Sequence, residues 1–132
     1  MIFTKHSDLS WNYSVKHNIE IGVNDNLPNN QCADIIFARI KSGQTLTSHY
    51  HVRPKDLDGS DNGYESFFFF SGGHILLIGK DYEKEFNLEE SFTLTFFSHE
   101  EEVHAIKNLG ENDVEFQVLC APKFDSHEEV FI

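Results

Sequence analysis

The chain has 132 residues, which is enough for one domain with a single sizeable core. Its 22 acidic residues outnumber 10 basic ones, and the formal net charge is −12. Because such a surface repels phosphate backbones and anionic lipid, we expect neither nucleic acid nor a membrane as a partner, and we assign the charge to solubility. With 13 Phe and 4 Tyr against 1 Met, the composition favours strands over helices.

The sequence shows no signal for export or for a second domain. Residues 1–6 contain no apolar stretch of signal-peptide length, and the longest apolar run, Phe67 to Phe70, is far too short to span a bilayer. Cys32 and Cys120 lie far apart and are interpreted as free thiols. No repeat or linker divides the chain. We therefore expect a cytoplasmic protein whose residues 1–132 form a single domain.

Short β-type runs separated by turn residues recur along the chain, and helical periodicity is nearly absent. Ser42-Gly43 and Gly72-Gly73 are among the turn signals, and the polar segments 24–31 and 53–63 are typical of loops. The pattern predicts an all-β sandwich or barrel. The predicted strands are 19–23, 33–41, 45–52, 65–71, 74–79, 91–97, 104–108 and 114–121.

Alternation along these strands predicts which side chains share a face. His49 and His51 lie on one face of the strand 45–52, about two pleats apart, where they could bind a single ion; histidines of the surface or the core are the competing interpretation. A sheet that is apolar on one face must close on itself or pack on another sheet. Side chains on the same predicted inner faces are candidates to line a pocket: Thr47, Phe67 and Phe116.

Further residues stand at characteristic distances from this pair. Gly43 precedes His49 by six residues, Gly72 follows Glu65 by seven, and Asn108 follows His104 by four. In this spacing the sequence resembles the cupin family, whose first motif combines Gly, His-x-His, Glu and Gly and whose second motif ends in His and Asn. The resemblance covers roughly residues 33–122. It implies a double-stranded β-helix, or jelly-roll barrel, with a metal inside held by His49, His51, Glu65 and His104, and it adds Asn108 to the pocket candidates.

The sequence departs from the family pattern in two places. Thirteen residues, 52–64, separate His51 from Glu65, where the family has three or four, and Asp56 stands at the family's short spacing. We prefer Glu65 as the ligand because Gly72 follows it at the family distance and because it opens a predicted strand. His99 and Glu101 replace the family's Pro and Gly, which predicts a different loop before His104.

The implied ligand set suits a divalent transition metal. Three imidazoles and one carboxylate are donors for Mn, Fe, Ni, Co or Zn and not for a thiophilic ion. Four protein ligands around a six-coordinate ion leave two positions for water or a chelating substrate. One ionised Glu leaves a dipositive ion with a net positive charge, which favours an anionic ligand.

Fold does not determine function, so two interpretations stay open. The first is a metal-dependent enzyme that acts on a small, anionic or chelating metabolite by dioxygenase, isomerase or lyase chemistry. The second is a non-catalytic module that binds a small molecule or sugar. The sequence offers no convincing general acid or base committed to this site. Tyr64 could be a phenol acid or base at its mouth, but alternation turns it away from the face of Glu65, which favours a structural role. His17 lies in a polar context and is interpreted as incidental, and Glu128 and Glu129 as solvated surface.

Two segments generate further hypotheses. We expect the insertion 52–64 to form a flap in which Arg53 or Lys55 contacts an anionic ligand, the alternative being a loop with no part in binding. Phe68 and Phe70 make the second face of their strand apolar, which predicts a homodimer that covers them. The competing interpretation is that the N-terminal aromatic residues fold back over them within one chain; these are Phe3, Trp11 and Tyr13.

Overall fold

The computed structural model describes residues 1, 4–26, 33–52, 63–121 and 126–132, and within these ranges the regular secondary structure is almost entirely strand. Two single-turn 3-10 helices, His6–Asp8 and Ser126–Glu128, are the exceptions. The strands are β1 (Ser10–Ser14), β2 (Ile19–Val23), β3 (Asp34–Ile40), β4 (Thr45–His51), β5 (Tyr64–Phe69), β6 (His74–Ile78), β7 (Glu83–Asn87), β8 (Phe92–Phe97), β9 (His104–Asn108), β10 (Val114–Ala121) and β11 (Glu129–Phe131).

The strands form two antiparallel sheets that face each other. The larger sheet has the order β1-β2-β3-β10-β5-β8, and the smaller has the order β11-β4-β9-β6-β7. All eight predicted strands are present within two residues of their predicted bounds. Three strands were missed: β1 and β7 because their sequences are mostly polar, and β11 because it is only three residues long. The all-β prediction is confirmed.

Cross-strand register places the core between the sheets. In the larger sheet Val118 lies opposite Phe67 and Phe116 opposite Ala38, and all four side chains are buried. Glu65 belongs to the same inner face, since it lies opposite the buried Cys120. In the larger sheet Glu65 therefore places a buried carboxylate among apolar side chains of the inner face.

Strand β4 breaks the alternation expected for it. Its pairing with β9 shifts register between Leu46 and His49, and both of these side chains are buried. The prediction that Thr47 shares the inward face with His49 and His51 is therefore wrong. Leu46 points inward, and Thr47 is only half-buried. The backbone N–H of Thr47 donates instead to the carbonyl of His17, in the turn between β1 and β2.

The outer face of the larger sheet carries exposed aromatic side chains. Phe68 is 38% and Phe70 47% exposed. The His6 ring lies 4.7 Å from Phe37 and 6.5 Å from Phe70, so it covers this face only in part. The indole of Trp11 packs on Gly22 and under the guanidinium of Arg39, so it covers β2 and β3 on this face and not the strand that carries Phe68. Tyr13 is itself 51% exposed, and its hydroxyl donates to the side-chain oxygen of Asn18. Phe3 lies outside the described residues.

Asn108 occupies the end of β9 and organises the turn that follows. Its amide nitrogen donates to the carbonyls of Ile40 (2.9 Å) and Asn112 (2.7 Å), and its side-chain oxygen accepts from the N–H of Gly110 (2.9 Å). The side chain is 1% exposed. These three bonds satisfy a buried amide and join β9 to the end of β3, so the residue has a structural role here.

We expect Asn108→Leu to lower the free energy of unfolding by about 2–4 kcal/mol, because it leaves two carbonyls and one N–H without their partner. Asn87→Leu on the exposed strand β7 is the matched control and should change stability by less than about 0.5 kcal/mol. Urea unfolding followed by circular dichroism measures both. Equal midpoints for the two variants would contradict the structural role of Asn108.

Candidate metal centre

Four buried side chains from three strands meet between the sheets: His49, His51, His104 and Glu65. His49 lies opposite His104 in the pairing of β4 with β9, so these two imidazoles of the smaller sheet are cross-strand neighbours. Glu65 comes from β5 in the larger sheet. One ligand atom from each of the four lies within 4.8 Å of the others. Sequence reasoning named all four, and the structure brings all four together.

The orientation of two imidazoles is set by backbone carbonyls. Nδ1 of His49 donates to the carbonyl of Thr47 (2.7 Å), and Nδ1 of His104 donates to the carbonyl of Glu102 (2.9 Å). Each bond leaves Nε2 of that ring as the atom that faces the cluster with a lone pair. Phe96 stacks on His104 at 4.1 Å between ring centroids, which holds that ring in place.

The facing atoms have no hydrogen-bond partners among the described residues. Nε2 of His51, Nε2 of His104 and Oε2 of Glu65 are all buried and unsatisfied. Oε2 lies 2.9 Å from the first nitrogen and 3.3 Å from the second, so the three atoms face one another at close range. Ligands of one ion are separated by about 3 Å when adjacent and about 4 Å when opposite, so these atoms are spaced for a metal between them. Since buried polar atoms normally have partners, a cation is the partner that fits this set.

Electrostatics favour the metal-binding protonation states of His49 and Glu65. Burial, followed by the neighbouring His104, lowers the pKa of His49 to about 4, so its imidazole is neutral near pH 7. Burial alone would raise the pKa of Glu65, but the imidazoles of His104 and His51 beside it hold that pKa well below its ordinary value. Neutral imidazole and ionised carboxylate are the metal-binding forms of these groups.

A cavity of about 240 Å³ adjoins the cluster, with His49 and Glu65 in its wall. Phe67 and Phe116, both predicted as pocket residues, line it. Thr47 and Asn108 do not. The irregularity in β4 turns Leu46 into the cavity in place of Thr47, and Asn108 is engaged in the turn at the far end of β9.

The cavity wall contains two polar residues to which sequence reasoning gave no role: His17, interpreted as incidental, and Glu129, interpreted as solvated surface. Nε2 of His17 donates to Oε2 of Glu129 at 2.7 Å, and the same oxygen lies 3.8 Å from Nε2 of His49. Oε1 of Glu129 is 3.5 Å from Nζ of Lys16. Burial raises the pKa of Glu129, but His17 outweighs that effect and the pKa lies below its ordinary value.

The chain course explains why these two residues were missed. Glu129 belongs to β11, which pairs with β4 so that Glu129 lies opposite His51. His17 lies in the β1–β2 turn, which docks on β4 through Asn18 Nδ2 to the carbonyl of Thr45 (3.0 Å). Both positions depend on pairing between distant segments, and no local pattern in the sequence marks them. Arg53, Lys55 and Asp56 lie outside the described residues.

We expect the metal-free protein to lose stability as the pH falls from about 6.5 towards 4. The folded-state pKa of His49 lies below its ordinary value of 6.5, so the unfolded chain binds more protons in this window. The loss from this group alone is on the order of 3 kcal/mol at most. Glu65 and Glu129 add to it below about pH 4.5, because carboxylates with a depressed pKa lose their contribution as they are protonated.

Urea midpoints measured in the presence of a chelator at pH 7, 6, 5 and 4 test this pH dependence. His49→Gln removes the titrating imidazole and should flatten the curve between pH 6.5 and 4. Equal losses of stability with falling pH in the unaltered protein and in His49→Gln would show that His49 is not the group responsible.

No family model matches the sequence, and no curated protein matches it. Solved structures share its fold. Pac13, a nucleoside dehydratase from Streptomyces, has a TM-score of 0.64 at 13% identity, covering 100% of this chain and 91% of that one. A predicted oxalate decarboxylase from Thermotoga maritima has a TM-score of 0.64 at 13% identity, covering 92% and 99%. A conserved Klebsiella pneumoniae protein with a double-stranded β-helix domain has a TM-score of 0.56 at 15% identity, covering 80% and 78%.

These likenesses, at such low identity, show the fold alone. None of the described helices has the length and apolarity to cross a membrane. Together with the two facing antiparallel sheets, the comparisons confirm the predicted double-stranded β-helix. The chain has the cupin fold, with a buried His/Glu cluster that could hold a metal ion.

Proposed function

We propose that this protein is a metal-dependent enzyme that binds one divalent transition metal through His49, His51, His104 and Glu65 and acts on a small metabolite. The observation that carries the proposal is the convergence on one point of buried nitrogen and oxygen atoms that have no hydrogen-bond partner among the described residues. A buried carboxylate without a counter-ion is costly, so a resident cation accounts for the arrangement.

The donor atoms of the four ligands limit which metals can bind. Imidazole and carboxylate ligands suit Mn, Fe, Ni, Co or Zn. When bound, such an ion would supply Lewis-acid polarisation to a substrate in its open positions. The cavity of about 240 Å³ lies beside His49 and Glu65, where a substrate bound there would be within reach of the ion.

Glu129 is a candidate for proton transfer beside the metal site. The sequence alone did not identify a general acid or base there. Its carboxylate is buried in the cavity wall and is held by His17 at 2.7 Å, while Nδ1 of His17 lies 2.7 Å from Oγ of Ser14. As an ionised carboxylate in a fixed position, it can accept a proton from a bound ligand. A fixed carboxylate in this position supports an enzyme over a non-catalytic module.

Proton transfer is the central step of lyase and isomerase chemistry, and we propose this reaction type. The names of two structural neighbours, a nucleoside dehydratase and a predicted oxalate decarboxylase, describe reactions that remove a small molecule and support the same direction. Lys16 compensates the charge of Glu129, so a dipositive ion with Glu65 keeps one net positive charge and favours an anionic head group on the ligand. A flap role for Arg53 and Lys55, and cytoplasmic location, stay predictions.

We expect the purified protein to contain about one equivalent of transition metal per chain, measured by elemental analysis. A double variant, His49→Ala with His104→Ala, should fall below about a tenth of an equivalent, because two lost imidazoles leave a much weaker chelate. Glu65→Gln should weaken zinc binding by at least about tenfold, since a neutral amide replaces a charged ligand.

Two variants serve as controls for this measurement. His74→Ala removes an exposed imidazole that contacts only Glu85 in the described structure, and Asp56→Asn removes the competing carboxylate. Both should keep the full metal content. Unchanged metal in the double variant would overturn the site, and loss of metal in Asp56→Asn with retention in Glu65→Gln would move the fourth ligand to Asp56.

We also propose a homodimer formed through the outer face of the larger sheet. Phe68, Phe70, Phe97 and Ile35 are each more than a third exposed there, and burying a Phe contributes roughly 1.5–3 kcal/mol. An exposed apolar patch of this kind is typical of a protein interface.

Light scattering at micromolar concentration should give twice the chain mass of 15.2 kDa. The variant with Phe68→Ser and Phe97→Ser should shift to the monomer because it removes apolar area from the interface, whereas Val15→Ser, at a residue that is 83% exposed, should not. A monomer of 15.2 kDa for the unaltered protein at this concentration would refute the dimer.

A further inference from the structure

The wall of the cavity beside the metal centre is divided by polarity. Nine of its thirteen lining residues are apolar, and they come mainly from β2, β3 and β10 of the larger sheet. The other four are His17, His49, Glu65 and Glu129. These four form one continuous group, since Glu129 contacts both His17 (2.7 Å) and His49 (3.8 Å), and His49 belongs with Glu65 to the metal cluster.

We infer that this cavity binds a compact, mainly apolar molecule that carries a single metal-coordinating polar head. The head is directed to the polar group of the wall and the body to the aliphatic part. The inference about the head rests on the proposed function, whereas the inference about the body rests on the cavity lining alone.

The volume limits the size of the ligand. A cavity of about 150 Å³ lined by apolar side chains holds a benzene molecule of six carbon atoms. In proportion, the 240 Å³ here accommodates about nine or ten non-hydrogen atoms. A short branched or linear acyl chain, or a single substituted ring, fits this size.

The lining also limits the chemistry of the body. Ile21, Ile36, Ala38 and Val118 offer side chains without donors or acceptors on the walls away from the metal. A hydroxyl group placed against them would lose its bonds to water without replacement, at a cost of about tenfold or more in affinity for each group. Polyhydroxylated or doubly charged molecules are therefore excluded, which separates this cavity from a neighbour crystallised with uridine and from one named for oxalate.

The mouth of the cavity lies at the end of β2. Val23 is 40% exposed and also lines the cavity, so it borders both solvent and interior. In the adjacent strand Ile36 is only partly buried and lines the same wall. A larger side chain at Val23 would therefore obstruct the apolar body without touching the four polar residues.

Two hydroxamic acids with the same chelating head test the inference on the zinc-loaded full-length protein. Hexanohydroxamic acid has nine non-hydrogen atoms and exceeds acetohydroxamic acid by four methylenes. Because each buried methylene contributes about a factor of four, four of them should make it bind about 250-fold more tightly by calorimetry. Oxalate and uridine should bind more weakly than hexanohydroxamic acid. A difference of less than threefold between the hydroxamates, or tighter binding of oxalate or uridine, would overturn the inference.

A second measurement tests ligand binding in the cavity independently of the metal. Butylbenzene, which has no chelating head, should bind to the metal-free protein and shift the NMR signals of the lining residues. Val23→Trp should lower the affinity for butylbenzene and hexanohydroxamate at least tenfold, and the affinity for acetohydroxamate less than threefold. Val15→Trp, at an exposed residue outside the cavity, should leave all three affinities unchanged.

The outcomes distinguish the two proposals. If the protein fails to bind zinc but butylbenzene still binds and is blocked by Val23→Trp, the proposed metal function fails and the apolar cavity stands. If zinc binds but butylbenzene does not, or Val23→Trp leaves its binding unchanged, the inference about the ligand is refuted and the metal site is unaffected.

Discussion

The burial of one carboxylate against three imidazoles is the constraint on which the rest of this structure depends. Glu65 and His104 are both buried, and the atoms that they direct at each other have no hydrogen-bond partner in the part of the chain that the structure describes. Two facing sheets are needed to create the arrangement, because the histidines belong to the smaller sheet and the carboxylate to the larger. Backbone carbonyls and a stacked Phe96 orient the rings. A cluster this costly to bury persists where it binds something, and a dipositive ion matches its charge and spacing.

The irregularity in β4 connects the metal centre to the cavity. A regular strand would alternate from His49 back through Thr47, and the wall would then be more polar. The register shift places Leu46 in the wall and frees the N–H of Thr47 to bond the carbonyl of His17. One extra residue in a strand therefore makes the cavity apolar and anchors the turn that carries His17.

The arrangement of polar groups has a functional consequence. The four polar residues of the cavity gather at the candidate metal site, and the other described lining residues are aliphatic or aromatic. Glu129 reaches this group because β11 pairs with β4. In the proposed binding mode, polarity orients a ligand with its reactive end at this site and near a carboxylate held by His17.

The sequence by itself determined the fold class, eight of the strands and the four candidate ligands, because these depend on local patterns: period-two alternation, turn residues and the spacing around His49 and Glu65. It could not determine the roles of His17 and Glu129, which lie 112 residues apart and meet only through pairing with β4. Nor could it show that Leu46, and not Thr47, faces the cavity, because a register shift leaves no local mark in a strand of mixed polarity. Tertiary structure decided these points, since they depend on which distant backbone groups pair and on which polar atoms are left without partners inside.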